Sequence, residues 1–352
     1  MKLSDPAEQL LYNIVNTPSW SHNERDAVNL LVAWMGDNGF DQAYVDEVGN
    51  AVGIIGNGSR DIMLLGHIDT FGGFPPVRIE GRKLYGRGAV DAKGALCAFT
   101  ASAVQAQLAD NVRLVVVGAV EEEAASSKGA RHIAQQFRPE WCIIGEPSNW
   151  DRITMGYKGR LVLSWSWTGE LAHSASDIAT APERAFDYWE RITKFCATFN
   201  HQRESLFGRL DARLQAIHSS DDGLLGKTEM TIGFRLPPEM PPDELIAHIG
   251  TDGDAQIEIY GAEKAVTGER DSELSRALRR AIRAQDGTPR FVYKTGTADM
   301  NVVAPVWKCQ ILAYGAGDSN LDHTPNEHID LDEYQRSIHI LSDTLSSLGK
   351  QG

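Results

Sequence analysis

Residues 114–147 read LVVVGAVEEEAASSKGARHIAQQFRPEWCIIGEP, and this stretch decides the fold class. Residues 114–117 are a continuous apolar run, as expected of a strand buried on both faces. Residues 128–137 read as a helix, and residues 141–144 form a second apolar strand. Parallel neighbours need a crossover connection, so strand, helix, strand in this order points to a parallel sheet. Outward toward the N-terminus the pattern repeats. Residues 52–55 and 62–65 are apolar strands, residues 93–108 an Ala- and Leu-rich helix, and residues 6–15 another helix. Ser21-x-x-Glu24 reads as a capping box opening a further helix.

Toward the C-terminus the pattern changes near Gly156. Residues 161–167 alternate with period two, which suits an antiparallel strand with one solvated face. A long helix over 182–199 follows, then strands at 230–236 and 256–260 with a short helix between them. From about Val266 the α/β character returns, with helices at 272–284 and 331–348 and a strand at 310–314. The expectation is an α/β protein whose larger, mostly parallel-sheet domain spans 1–158 and 267–352. A smaller α+β domain, 159–266, is inserted into it.

Composition narrows the function. The 352 residues are 42% hydrophobic and 23% charged, too apolar for a disordered chain. A formal net charge of −14 opposes phosphate backbones and anionic lipid, so nucleic acid and membrane surfaces are not expected partners. Cys97, Cys142, Cys196 and Cys309 stand far apart without a Cys-x-x-Cys, which argues against a disulfide framework or a thiolate zinc site. The start MKLSDPAEQLL has no secretory pattern, and no apolar run approaches a membrane span, so a cytoplasmic location is expected.

Acidic and histidine side chains fall where an open α/β sheet binds ligands, at the C-terminal ends of its strands. Gly66-His67-Ile68-Asp69 follows one apolar strand. Glu121-Glu122-Glu123 follows a second, and three adjacent carboxylates there are costly without a cation. Gly145-Glu146-Pro147 follows a third, and Asp322-His323-Thr324-Pro325 lies beyond the fourth. Gly86-Arg87-Gly88-Ala89-Val90-Asp91 begins like a dinucleotide fingerprint, but Asp91 stands where the third glycine belongs and would oppose a pyrophosphate. It reads instead as a turn presenting Asp91. Histidines with carboxylates and no thiolate suit paired Zn²⁺-like ions used for hydrolysis. The remaining histidines, His22 and His132 among them, read as surface residues.

These motifs, GHIDT, YGRGAVDAKG, the EEE run with KGAR, IIGEPS, GELAHSA and LDHTPNEHID, cover nearly the whole chain in order. The chain resembles the family of co-catalytic zinc aminoacylases and carboxypeptidases, which includes acetylornithine deacetylase and succinyl-diaminopimelate desuccinylase. The resemblance implies a zinc-peptidase-like fold and two divalent ions per chain, Zn²⁺ or alternatively Co²⁺. It implies that His67 and Glu146 bind one ion and Glu123 and His323 the other, with Asp91 bridging. Glu122 would be the general base and Asp69 the partner of His67. The family usually reads Asp-Glu-Glu where this chain has Glu-Glu-Glu, so a register one residue earlier, with Glu121 as base and Glu122 as ligand, stays open. The inserted domain would form a homodimer, with His173 reaching the partner's active site.

Two further positions are substrate-binding candidates. Arg235 suits a planar carboxylate, although a structural salt bridge explains it equally well. Gly296, in Lys294-Thr295-Gly296-Thr297, lies in a loop resembling the family's substrate-facing loop, and a simple polar turn is the alternative. Within the family the motifs look most like hydrolases that free lysine or ornithine from an acidic amino-group carrier protein. An acetylornithine or acetyl-lysine deacetylase, a dipeptidase, and a non-catalytic dimeric binding module are the alternatives. An acidic carrier meeting an acidic enzyme would need a basic patch. Arg78, Arg82, Lys83 and Arg87, with Lys158 and Arg160, are expected to supply it.

Overall fold

The computed structural model describes residues 3–173 and 175–350. Ser174, inside the GELAHSA motif, lies outside the described residues. The chain divides into two compact units. One comprises Met1–Gly156, Thr267–Tyr293 and Ala298–Gly352, and the other Tyr157–Val266 and Lys294–Thr297.

The larger unit is built on a nine-stranded mixed sheet. At its centre Val112–Ala119, Arg60–His67, Trp141–Gly145 and Gln310–Ala313 lie side by side, each parallel to its neighbour. Antiparallel strands flank this core, Ala51–Ile55 on one side and Arg152–Tyr157 on the other. The parallel strands are the apolar runs read from the sequence, and all four C-termini face the same end. Helix Lys93–Gln105 crosses the sheet and is buried from Lys93 through Ala103. It sits close because glycines face it: a Cβ on Gly145 would stand 2.9 Å from Phe99, and one on Gly66 3.2 Å from Leu96. That packing fixes the helix start, and with it Asp91, beside the strand ends.

The capping box expected at Ser21-x-x-Glu24 does not form. Helix Arg25–Asp37 has Glu24 at its N-cap with no side-chain cap. The Ser21 hydroxyl instead donates to Asp69 Oδ2 at 2.7 Å, since an ionised, buried carboxylate is the stronger acceptor. The Gly/Thr loop around Gly296 leads into helix Asp299–Trp307, which the sequence reading did not include.

The smaller unit carries a four-stranded antiparallel sheet in the order Asp211–Asp221, Leu225–Leu236, Gly159–Glu170, Gln256–Glu263. Leu161, Leu163 and Trp165 point to one face and are buried against Ala185, Tyr188 and Ile192 of helix Ala181–Asn200. Thr180 and Glu183 form a complete capping box at that helix start. The edge strand Asp211–Asp221 was not foreseen, because its face is polar and largely exposed and so lacks a clear period. No helix among the described residues is long and apolar enough to cross a membrane.

Candidate active site

Three strand ends, one helix start and the loop carrying His323 bring their acidic and histidine side chains together in the larger unit. His67 closes strand Arg60–His67, and its ring is buried. Its Nδ1 is bonded to the backbone carbonyl of Asp69 at 2.9 Å, while the Asp69 carboxylate is 3.5 Å away. With Nδ1–H donating there, the Nε2 lone pair is free. Nε2 faces Asp91 Oδ1 at 3.3 Å and Glu146 Oε1 at 4.0 Å, and it is buried with no hydrogen-bond partner among the described residues. A lone pair aimed at two carboxylates is unfavourable unless a cation stands between them. The donor set therefore fits a metal ion.

A second group lies alongside. His323 Nε2 is 2.9 Å from Glu123 Oε1 and 3.0 Å from Asp91 Oδ2. His67, Asp91 and Glu146 form one set whose ligand atoms lie within 4.8 Å of one another, and Asp91, Glu123 and His323 form another. Asp91 belongs to both. The side chain of Phe71 stacks on the His323 ring with centroids 4.5 Å apart.

The three consecutive glutamates take different directions. Glu121 adopts a left-handed backbone conformation, φ 60°, which turns the chain sharply after strand Val112–Ala119. Its carboxylate accepts from Ser126 Oγ at 2.6 Å and lies near His22 Nδ1 (3.3 Å) and Lys128 Nζ (3.6 Å). His22 and, through Glu47 at 2.9 Å, His132 thus have acidic neighbours that the sequence did not suggest. The next two N–H groups, of Glu122 and Glu123, donate to Asp69 Oδ1 and Oδ2 at 3.0 Å each. Glu123 then reaches His323. Glu122 remains as the carboxylate outside both groups yet close to them.

The electrostatics follow from crowding in a buried place. Burial pushes the Glu122 carboxyl well above its usual range; the nearby His67 opposes this, and Glu146, Asp299 and Glu123 add to it. Glu146 is raised for the same reason, by burial first. Burial also pushes Asp91 up, but the adjoining His323 and His67 rings outweigh it and hold Asp91 below the usual carboxylate range. His323, bonded to Asp91 and Glu123, is raised to about 10. Asp299 was not singled out from the sequence, though it opens helix Asp299–Trp307 in this same neighbourhood. It is buried, its Oδ1 has no hydrogen-bond partner among the described residues, and burial raises its pKa to about 7.

His173, Arg235 and Gly296 belong to the smaller unit. His173 Nδ1 accepts the Ala175 N–H at 3.2 Å. Arg235, on strand Leu225–Leu236, donates through Nη1 to Thr297 Oγ1 at 2.7 Å. A Cβ at Gly296 would meet nothing within 4 Å.

The expected basic patch is not a surface of free cations. Arg78 pairs with Glu80 at 2.7 Å, and Arg82 pairs with Glu8 at 2.6 Å and Asp332 at 2.9 Å. Arg87 is buried against Glu327, and Lys83 Nζ lies 3.3 Å from His328 Nε2. In the smaller unit Lys158 is buried on Asp211, and Arg160 meets Glu263 at 3.2 Å. Apart from Lys83, whose neighbour is an imidazole, these charges are matched within the chain and exert little long-range pull.

Residues 63–347 match peptidase family M20/M25/M40. The chain belongs to this family. As a member it is a metal-dependent hydrolase of amide bonds. It is 45% identical over 351 residues to the [LysW]-lysine hydrolase of Deinococcus radiodurans, covering 97% of both chains. It is 33% identical over 280 residues to the [LysW]-lysine/[LysW]-ornithine hydrolase of Sulfurisphaera tokodaii, covering 78% of each. Among solved structures, an M20 metallo-carboxypeptidase from Sulfolobus solfataricus shares the fold. Its TM-score is 0.77 at 18% identity, with 97% of this chain and 99% of that one covered. A dinuclear metal-binding M20 peptidase from Bacillus subtilis also superposes, with TM-score 0.68, 10% identity and coverage of 97% and 96%.

Proposed function

We propose that this M20 hydrolase releases lysine, or ornithine, from the amino-group carrier LysW by cleaving the amide that joins them. The observation that carries the substrate is the 45% identity, along 97% of the chain, to the [LysW]-lysine hydrolase. The chemistry is supported by two ligand groups that share Asp91. His67, Asp91 and Glu146 would hold one divalent ion, and Asp91, Glu123 and His323 the other. Zn²⁺ suits this thiolate-free donor set, and Co²⁺ would substitute for it. Bound there, the pair would supply Lewis-acid polarisation of the amide carbonyl and a lowered pKa for water.

The chain's own residues do the rest. Asp69 fixes the His67 ring through its carbonyl and holds the Glu122–Glu123 backbone through its carboxylate. Glu122 takes a proton from the attacking water. As the C–N bond breaks, it passes that proton to the departing amine, so lysine leaves with its amino group intact and the carrier regains a carboxyl group. The high proton affinity that burial gives Glu122 suits it to hold the proton between the two steps. Arg235 would grip a substrate carboxylate, and Gly296 would belong to the substrate-binding loop.

We further propose a homodimer formed through the smaller unit. Its long edge strand Asp211–Asp221, with exposed Ile217 and the nearby exposed Leu224 and Leu225, offers unpaired backbone of the kind that joins sheets between subunits. His173 of the partner subunit would then donate a hydrogen bond to the oxyanion. Mixing inactive His173→Ala and Glu122→Gln chains should restore part of the activity, because one hybrid site keeps both groups. No recovery after subunit exchange would overturn that arrangement. A cytoplasmic setting fits the four unbridged cysteines.

The test of function is a substrate panel. The metal-loaded protein should release lysine from the LysW conjugate faster than it turns over acetyl-lysine, acetylornithine or dipeptides. Preference for acetylornithine would make it a deacetylase. Metal binding without turnover of any amide would make it a binding module.

A further inference from the structure

The turn carrying Asp91 and the loop carrying His323 are tied by a buried ion pair. Arg87 Nη1 lies 2.8 Å from Glu327 Oε2, and the two side chains are 7% and 0% exposed. The other oxygen, Glu327 Oε1, accepts the backbone N–H of Val90 at 3.0 Å and of Asp91 at 3.1 Å. In return Arg87 Nη2 donates to the carbonyl of His323 at 3.3 Å, and Nη1 reaches that of Thr324 at 3.5 Å. The Gly86 N–H closes the link by donating to the Glu327 carbonyl at 3.1 Å. Each partner thus holds the backbone of the other partner's ligand segment.

Buried ion pairs add little net stability, because desolvation offsets their attraction. Their value lies in fixing geometry, and here the two ligand groups need that help unequally. His67 and Glu146 stand at the ends of Arg60–His67 and Trp141–Gly145, adjacent parallel strands in register to Gly66 and Gly145. Asp91 is secured a second time through Lys93, whose ammonium donates to the carbonyls of Ile14 and Thr17 at 3.0 and 2.8 Å. His323 lies in a loop with left-handed backbone, φ 60°, and Arg87 holds its carbonyl. Two members of one group, His67 and Glu146, are framed by the sheet. The other group draws two of its three members from segments joined by the clamp.

We propose that Arg87 and Glu327 are positioning residues for the Asp91–Glu123–His323 group, so that breaking their pair releases the ion of that group and spares its neighbour. The proposal rests on the two-metal reading above. It predicts two ions of unequal vulnerability, since outer hydrogen bonds of this kind set metal affinity by about 10–100-fold.

The experiment is Zn²⁺ content after dialysis, followed by Zn²⁺ titration, on the wild type and on Glu327→Gln, Glu327→Ala and Arg87→Lys. The wild type should keep two ions. The variants should keep one and bind the second about 10–100-fold more weakly, with excess Zn²⁺ restoring full occupancy. Glu327→Gln, which retains one acceptor for the Asp91 N–H, should lose less affinity than Glu327→Ala. Folding is checked by circular dichroism, and Arg87→Lys serves should Glu327→Ala fail to fold. Wild-type affinity for both ions in the variants, or equal weakening of both, would overturn the clamp. A wild type holding fewer than two ions would overturn the two-metal reading instead.

Discussion

The carboxylate of Asp69 and the backbone of Glu122 are joined across 53 residues by a 3.0 Å hydrogen bond to the Glu122 N–H, and the other oxygen of Asp69 does the same for Glu123. Asp69 is fully buried, so this contact sets the register of the three glutamates from inside the protein. The left-handed turn at Glu121 and the Asp69 anchor together point Glu123 at His323 and leave Glu122 beside both ligand groups.

That relationship separates the three glutamates experimentally. Glu122→Gln should keep its metal while the rate falls by about 10²–10⁴, the usual share of a general base. Glu123→Gln should lose metal. Glu121→Gln should stay close to wild type in both respects, because its carboxylate is engaged by Ser126, His22 and Lys128. Metal analysis with steady-state rates decides. A Glu121→Gln protein that keeps its metal and loses its rate would place the base one residue earlier.

Removing the anchor should cost stability as well as activity. Asp69→Ala leaves two backbone N–H groups without their acceptor, at about 1–3 kcal/mol for each that stays buried. Asp69→Asn keeps one acceptor oxygen and should fall between Ala and wild type in urea unfolding. Equal midpoints for Asp69→Ala and wild type would show that the Glu122–Glu123 turn holds itself.

Arg82 tests whether the basic cluster near Asp91 steers the carrier. Its guanidinium is paired with Glu8 and Asp332, and the Glu8 side chain is only 7% exposed. Arg82→Glu should lower stability, toward the upper end of the roughly 0.2–1 kcal/mol typical of exposed pairs or beyond it. The salt dependence of hydrolysis of carrier-linked lysine should not change. A selective loss of that salt dependence would restore Arg82 to a docking role.

Asp299 gives the metal-free protein a pH signature. Burial raises its folded pKa to about 7 from an ordinary 3.8. Between these values the folded state binds the extra proton, so stability contributed by this group falls as pH rises from about 4 to 7. Asp299→Asn removes that slope, and the variant should gain on the wild type most at pH 7 and above. Thermal unfolding of the chelated proteins across this range measures it. Parallel pH profiles for the two would contradict the assignment.

The sequence was most legible where single elements decide the matter. The apolar runs ending at His67 and before Glu146 are buried strands, and their parallel pairing puts both side chains at one sheet end. It was least legible where a distant partner decides. Three identical glutamates carry no internal register, and Asp69 supplies it. Arg82 and Arg87 read as part of a patch because their partners, Glu8, Asp332 and Glu327, lie far off in the chain. Asp299 escaped notice because its helix follows a Gly/Thr loop and contains Pro305, which ordinarily argues against a helix. The edge strand Asp211–Asp221 is too polar to show a period.

A two-metal hydrolase acting on lysine or ornithine joined to LysW must free the amino acid from the intact conjugate. Mass spectrometry of the LysW–lysine conjugate, incubated with the metal-loaded protein, tests it most directly. Free lysine and a carrier lighter by one lysyl residue should appear, with the reaction stopped by a chelator and restored by Zn²⁺. An unchanged conjugate alongside rapid turnover of acetylornithine, or lysine release that continues in the metal-free protein, would contradict it.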